Sequence, residues 1–274
     1  MQDFSLGICQ LQVTANKEQN LERAYRQLKY AAAHGANLAV LPEMFNCPYD
    51  QSYFTTFAEG MTGDTMKMLA DAARNLNLYV VGGSFPLLEN GFIYNYSPVF
   101  NNQGNLLTGH RKMHLFDVNL PDIRFMESET LTAGNRVTVF STPWAAIGLG
   151  ICYDLRFPEL ARLMVNAGAE VIVYPAAFGT VTGNLHWDLT LRARAVDNQV
   201  YTVGVGPAPN SELTYQTYGH SLVSDPMGHI IKKMGTQPTV NVIRLSAQEV
   251  REARDRLPLL KHRRHDLYRV CSMD

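Results

Sequence analysis

Residues 146–160 read AIGLGICYDLRFPEL, and the fold turns on how this stretch is divided. The apolar run Ala146–Ile151 has the character of a strand, and it stops at Cys152. Tyr153, Asp154 and Arg156 follow, and then Pro158 opens PELARLMVNAGA, a helical pattern whose first turn can hold a proline without losing a hydrogen bond. The stretch is therefore strand, turn and helix, with a thiol at the turn. A cysteine so placed is either a small buried residue at a strand end or a nucleophile presented by the turn.

Outward from this unit, strand and helix patterns interleave. RVTVFST and AAIGLGI pair as a hairpin, EVIVYPA reads as a strand, and the helix HWDLTLRARAVDNQ leads into the strand VYTVGVG. On the N-terminal side, Phe4, Leu6, Ile8 and Gln10 share one face of a first strand. Leu21, Ala24, Tyr25, Leu28 and Ala32 then recur at helical spacing, and Gly35 ends that helix. LAVLPE is a short strand ending in Glu43, and a second helix is predicted over about 65–75. LYVVGGSF reads as one strand, and FIYNYSPVFN with GNLLTGHRKMH as a hairpin turning at NNQG. A polar loop precedes RVTVFST. GHSLVSDP, HIIKKM and TVNVIRL give further strands before the charged helix AQEVREARDRL and a basic tail. Helices interleaved with parallel-type strands and hairpins predict a layered α/β fold with a mixed sheet in a single domain, residues 1–274.

The bulk numbers narrow the class. The chain has 274 residues, 46% apolar and 18% charged, with a formal net charge of −1, which gives no electrostatic reason to expect nucleic acid or an anionic membrane as partner. MQDFSLGICQLQV lacks a basic region ahead of its short apolar run, and no run approaches the roughly 20 apolar residues of a bilayer span. Cys9, Cys47, Cys152 and Cys271 are scattered without a C-x-x-C pair, so a disulfide framework and a zinc site are not indicated and a cytoplasmic location is expected. The eight histidines, His110, His114, His262 and His265 among them, form no metal motif, and no metal or organic cofactor is expected.

Two further segments share the design of the first: LAVLPEMF delivers Glu43 and LTGHRKMHLF delivers Lys112 to the end of a strand. Strand ends are where layered α/β proteins bind ligands, so a carboxylate, an amine and a thiol arriving at three such ends make a candidate constellation. Taken singly, each is as readily a solvated or packed side chain.

Together LPEMF, HRKMHLF and GICYDLRFPEL, in this order, resemble the nitrilase, or carbon–nitrogen hydrolase, superfamily, and the similarity continues through YPAAF, HWDLTLRARAVDNQVY and GHSLVSDPMG. The resemblance implies a four-layer αββα sandwich of two mixed sheets flanked by helices. It also implies a Glu–Lys–Cys triad of Glu43, Lys112 and Cys152, with Glu127 of RFMESETL as a second glutamate orienting Lys112 or the substrate amide and Glu129 at the surface. Dimerisation through the helix after the nucleophile is implied too, which would put PELARLMVNAGA and the tail, about 256–274, at an interface of a homodimer or larger homo-oligomer.

In that chemistry Glu43 takes the thiol proton, Cys152 attacks an amide carbon, and Lys112 with the backbone N–H of Tyr153 stabilises the oxyanion. FNCPYD, HLFDVNLP, FMES and YPAAF look most like the ω-amidase branch, which implies α-ketoglutaramate and α-ketosuccinamate as substrates. Arg156 then suits the far carboxylate, since guanidinium binds carboxylate bidentately; a structural ion pair with Asp154 or Glu159 is its other reading. Tyr49 is expected to bind substrate or close the pocket and Phe178 to wall it, simple packing being the alternative for both. Asp50 stands where a glycine is frequent, and LPDIR looks one residue short; both lie at the expected rim. Another branch of the superfamily (an N-carbamoyl amidohydrolase, a deaminated-glutathione amidase or a nitrilase), a non-catalytic binding protein of the same fold and a thiol redox protein are the alternatives. The intact triad argues against the second, and the lack of a resolving cysteine near Cys152 in sequence argues against the third.

Overall fold

Every strand at the centre of the molecule is buried on both faces, and that fact sets the layering. In a computed structural model, which describes residues 1–120 and 123–273, the chain opens with β1 (Phe4–Gln10), α1 (Lys17–Ala33) and β2 (Leu38–Val40). It continues through α2 (Gln51–Phe57), α3 (Asp64–Asn75), β3 (Tyr79–Val81), β4 (Phe85–Glu89), β5 (Phe92–Phe100) and β6 (Leu106–Arg111). A small hairpin, β7 (Asp117–Leu120) and β8 (Ile123–Met126), then precedes the second half.

That half contains β9 (Thr138–Ser141), β10 (Ala146–Leu149), α4 (Pro158–Asn166) and β11 (Val171–Pro175). The single turn α5 (Thr180–Thr182) winds on through a wider turn into α6 (Asp188–Asn198). β12 (Tyr201–Val205), β13 (Leu222–Ser224), β14 (Ile230–Lys233), β15 (Thr239–Leu245) and α7 (Ala247–Arg256) complete it.

One sheet runs β15-β1-β2-β3-β5-β4 with β6 on β5, and the other β14-β13-β12-β11-β10-β9. Alternation sorts the side chains. Phe4, Leu6 and Ile8 of β1 meet Ile147, Leu149, Val171, Val173, Val203 and Val205 between the sheets. Cys9 and Leu11 face the opposite way, towards Ala24 and Leu28 of α1 and Leu69 of α3. On the far side Ile172 and Leu222 pack under Leu160 and Met164 of α4 and Leu191 of α6. The result is the expected αββα sandwich, held by apolar area removed from water on both faces of both sheets.

The predicted hairpins β5–β6 and β9–β10 form, as do the helices α1, α3, α4, α6 and α7. Gln10 keeps the inward side of β1, accepting from Ser221 N at 2.9 Å. Three differences have local causes. LYVVGGSF is two strands, because Gly83 sits at φ +57° and a Cβ there would strike the Pro42 carbonyl. The polar loop before RVTVFST contains β7 and β8. Residues 51–57 form α2, whose only buried side chain is Phe54, so no apolar stripe announces it. Of the rim segment LPDIR, residues 121 and 122 lie outside the described residues.

Beyond α7 the tail folds back across the end of α4, where Arg263 Nη1 donates to Asn166 Oδ1 at 2.7 Å and Asn166 Nδ2 donates to the Val270 carbonyl at 3.2 Å. Among the described residues no helix is long and apolar enough to cross a membrane.

Candidate active site

Strand direction brings the three candidate residues together. β2 and β3 are parallel, and β6 is antiparallel to β5, itself antiparallel to β3, so β2 and β6 run the same way and release Glu43 and Lys112 at one sheet end. Cys152 leaves β10 of the other sheet. Glu43 and Lys112 are completely buried, and Cys152 nearly so.

The backbone is forced at two of these exits. Met44, immediately after Glu43, lies at φ +48°, and Cys152 at φ +46°. Neither is a glycine, so each left-handed residue costs about 1–2 kcal/mol and marks an over-determined turn. Ser84 holds the first turn, its hydroxyl accepting from Met44 N and its carbonyl from Phe45 N, both at 3.0 Å.

Lys112 Nζ is the hub. It donates to Glu43 Oε1 and Glu127 Oε1, each at 2.9 Å, and lies 3.3 Å from the Tyr49 hydroxyl. Tyr49 in turn donates to Glu127 Oε1 at 2.7 Å, and Phe116 N to Glu127 Oε2 at 2.7 Å. Asn95 Nδ2, from β5, donates to Glu43 Oε1 at 2.8 Å. One oxygen of Glu43 is thus fully engaged, while among the described residues Oε2 accepts no hydrogen bond of ordinary length, and the carboxyl and the Cys152 thiol interact as neighbours.

The electrostatics follow from burial. Desolvation raises the Glu43 carboxyl above its ordinary pKa, with Lys112 pulling the other way and Glu127 adding to the rise. Desolvation would lower Lys112, but Glu127 and Glu43 outweigh it and hold the ammonium well above its usual range. The Cys152 thiol is pushed well up by burial and then by Glu43, against Lys112 and the Ala177 backbone. The resting site is therefore a neutral thiol beside a strengthened base and a fixed cation, a set suited to attack on a carbonyl carbon and to stabilising the resulting oxyanion.

In front of Cys152 lies a narrow pocket lined by Tyr49, Phe116, Tyr153, Arg156, Phe178 and Tyr215. Arg156 does not pair with Asp154 or Glu159. Its Nη1 donates to His186 Nδ1 at 3.0 Å and its guanidinium lies 4.8 Å from the Phe178 ring centre. Two wider depressions, one at Arg111 and Arg136 and one between α1 and β15, adjoin none of the triad. Among the described residues no group of three His, Cys, Asp or Glu is placed to hold a metal ion.

All eight residues singled out in the sequence are thus at one site. Glu129 is exposed and paired with Arg124, and Asp50 caps α2 by accepting from Ser52 N at 2.9 Å. Asn95, Tyr215 and His186 were not foreseen. Asn95 had a usable signal, an amide inside the strand pattern FIYNYSPVF. Tyr215 and His186 had none, since one reaches the pocket from a distant loop and the other meets Arg156 from a distant turn.

A family model of carbon–nitrogen hydrolases matches residues 5–255. This chain belongs to the carbon–nitrogen hydrolase family. Within the family it is 44% identical over 273 residues to the omega-amidase NIT2 of Mus musculus, covering 99% of each chain. It is 43% identical over 274 residues to omega-amidase NIT2 of Danio rerio, covering 100% of this chain and 99% of that one. Among solved carbon–nitrogen hydrolases, Saccharomyces cerevisiae Nit3, described as a member of branch 10 of the nitrilase superfamily, superposes with a TM-score of 0.89 at 39% identity, covering 96% of this chain and 97% of that one. The carbon–nitrogen hydrolase is accordingly an amide-hydrolysing enzyme with a nitrilase-type sandwich.

Proposed function

We propose that the chain is an ω-amidase that hydrolyses the terminal amide of short α-keto acid amides, α-ketoglutaramate and α-ketosuccinamate, to the α-keto dicarboxylic acid and ammonia. One observation carries the reading: Arg156 and Cys152 line the same small pocket. A guanidinium there suits the carboxylate at one end of a substrate whose amide lies at the thiol. Relatives of 43–44% identity named omega-amidase support the choice.

In the proposed reaction Glu43 accepts the Cys152 proton as sulfur bonds to the amide carbon. The electron pair displaced from the carbonyl becomes an oxyanion, held by Lys112 and the Tyr153 backbone N–H. The intermediate then collapses: the carbon–nitrogen bond breaks, Glu43 returns its proton to the leaving nitrogen, and ammonia departs from a thioester. Water, deprotonated by Glu43, attacks the thioester carbon and restores the thiol as the acid leaves. Glu127 and Tyr49 hold Lys112 in place through both halves, and Phe178 walls the pocket beside Arg156.

Ammonia release from α-ketoglutaramate, α-ketosuccinamate, an N-carbamoyl amino acid and a simple nitrile tests the reading. Turnover of the first two alone is the expected result. Faster turnover of the carbamoyl compound or the nitrile would assign the protein to another branch.

We further infer a single domain acting as a homodimer, in the cytoplasm. The tail lies on the end of α4, so the two segments expected at the interface adjoin one another. Val181, Leu185, Leu189 and Val196 form an exposed apolar row along α5 and α6, beside α4. Four free cysteines, three of them buried, suit a reducing compartment. Light scattering of Leu189→Glu checks the assembly: a dimeric parent and a monomeric variant are expected, and a monomeric parent would overturn it.

A further inference from the structure

We propose that Asp154 is a positioning residue, a carboxylate clamp that holds the Cys152 turn in register with the Lys112 segment across the two sheets. Asp154 touches neither the pocket nor the reacting groups, and the reaction above makes no use of it. It rests on the Glu43–Lys112–Cys152 reading but not on the identity of the substrate.

The local part of the clamp closes around the nucleophile. Asp154 N donates to the Ile151 carbonyl at 3.0 Å, and Ile151 N donates to Asp154 Oδ2 at 2.9 Å. Only Cys152 and Tyr153 lie inside this reciprocal pair, and Cys152 is the residue at φ +46°. A left-handed conformation at a non-glycine residue persists only where its surroundings over-determine it, and the paired bonds do so here.

The long-range part reaches the other sheet. Asp154 Oδ1 accepts from His114 N at 3.0 Å and faces His114 Nδ1 at 2.7 Å, while Oδ2 faces His110 Nε2 at 3.0 Å. His110 and His114 stand two residues either side of Lys112. His110 is anchored behind by the Thr138 hydroxyl at 3.0 Å from Nδ1, and the His114 ring stacks on Phe157 with centres 3.6 Å apart. Each oxygen of one side chain therefore takes one backbone N–H and one imidazole, joining the turn after β10 to both flanks of the lysine after β6.

Asp154 and His110 are fully inaccessible. What only the carboxylate supplies is four directed bonds that fix where the Cys152 sulfur lies relative to Lys112 Nζ. A shift of about 1 Å in such an alignment can cost on the order of 100-fold in rate.

The test is Asp154→Asn, which keeps the volume but presents an NH₂ to groups that donate. The expected result is a folded enzyme, by circular dichroism and thermal melting, with kcat down about 100-fold. KM should stay within about threefold on every amide turned over, because the pocket is untouched. The rate of Cys152 alkylation by iodoacetamide should change as well, a readout that needs no substrate. A folded variant with kcat and alkylation rate near those of the parent would overturn the proposal. So would activity that falls only in proportion to the folded fraction. His114→Ala, at a partly exposed side chain, removes one imidazole without opening the core. It should lower kcat several-fold at unchanged KM, and an unchanged kcat there would overturn the proposal even if Asp154→Asn failed to fold. If the parent turns over none of the α-keto acid amides, the substrate assignment falls while the alkylation test still stands.

Discussion

Lys112 and Glu127 form an ion pair 2.9 Å long with no solvent access to either side chain. Glu127 is saturated, one oxygen taking Lys112 and the Tyr49 hydroxyl and the other the Phe116 amide. In the proposed mechanism its role is to keep the ammonium charged and still, since burial alone would strip the proton from a lysine. Glu127→Gln retains the shape but removes the charge and sets an NH₂ against donors. We expect kcat to fall at least 100-fold, and stability to drop by about 3 kcal/mol, the low end for breaking a buried pair. Steady-state kinetics and denaturant unfolding measure both; a variant with parental kcat would remove Glu127 from the machinery.

Arg156 separates binding from chemistry. Among the described residues it meets no carboxylate, only His186 and the faces of Phe178 and Tyr153, so its charge is available to a ligand. Arg156→Gln should raise KM for α-ketoglutaramate about 10- to 100-fold, as expected for an anion contact worth about 1.5–3 kcal/mol, with kcat changed little. Arg156→Lys should recover only part of this, because an ammonium cannot reproduce the bidentate fork. Turnover of a short neutral amide should be unaffected by either. Equal losses on charged and neutral amides would reassign Arg156 to packing.

The sheets and the strand ends that carry Glu43, Lys112 and Cys152 were legible in the sequence because each is a local event. An apolar run of strand length ends, and a reactive side chain stands at its end: Glu43, Lys112, Cys152. Alternation in β1 likewise gave away its inward face. What escaped depended on register between distant segments. His110 and His114 could be examined for a metal motif, but nothing local says that a carboxylate 40 residues beyond His114, in the turn after β10, lies between them. For the same reason Asp154 was read as a possible partner for its neighbour Arg156, when the turn points the two in different directions. α2 and the β7–β8 hairpin escaped because neither carries a continuous apolar stripe.

The strain at Cys152 has a consequence for stability. At φ +46° any side chain is disfavoured by about 1–2 kcal/mol relative to glycine, a larger effect than the roughly 0.5–1 kcal/mol of extra backbone entropy that glycine loses on folding. Both Cys152→Ala and Cys152→Gly should abolish ammonia release. Cys152→Gly should nevertheless unfold at the same or a higher denaturant concentration than Cys152→Ala, reversing the usual order. If Cys152→Gly is clearly the less stable, the turn is not strained in the way its backbone angle indicates.

The pH profile follows from two groups moved in the same direction for different reasons. In the proposed reaction Glu43 works as a base only when ionised, and burial lifts its pKa above the ordinary glutamate value of about 4.3. As pH falls through that raised value, the fraction able to accept the thiol proton shrinks tenfold per unit. The acid limb of kcat/KM should therefore lie above the usual carboxylate range. In the same proposal Lys112 must be protonated to hold the oxyanion, and Glu127 and Glu43 keep it so well beyond its ordinary range. No alkaline loss should then arise from the lysine at pH values where a free ammonium begins to titrate. Measuring kcat/KM on α-ketoglutaramate from about pH 4 to 10 covers both limbs. An acid limb at the free glutamate value would mean that Glu43 is not the base, and Glu43→Gln, inactive across the whole range if it is, makes the assignment specific.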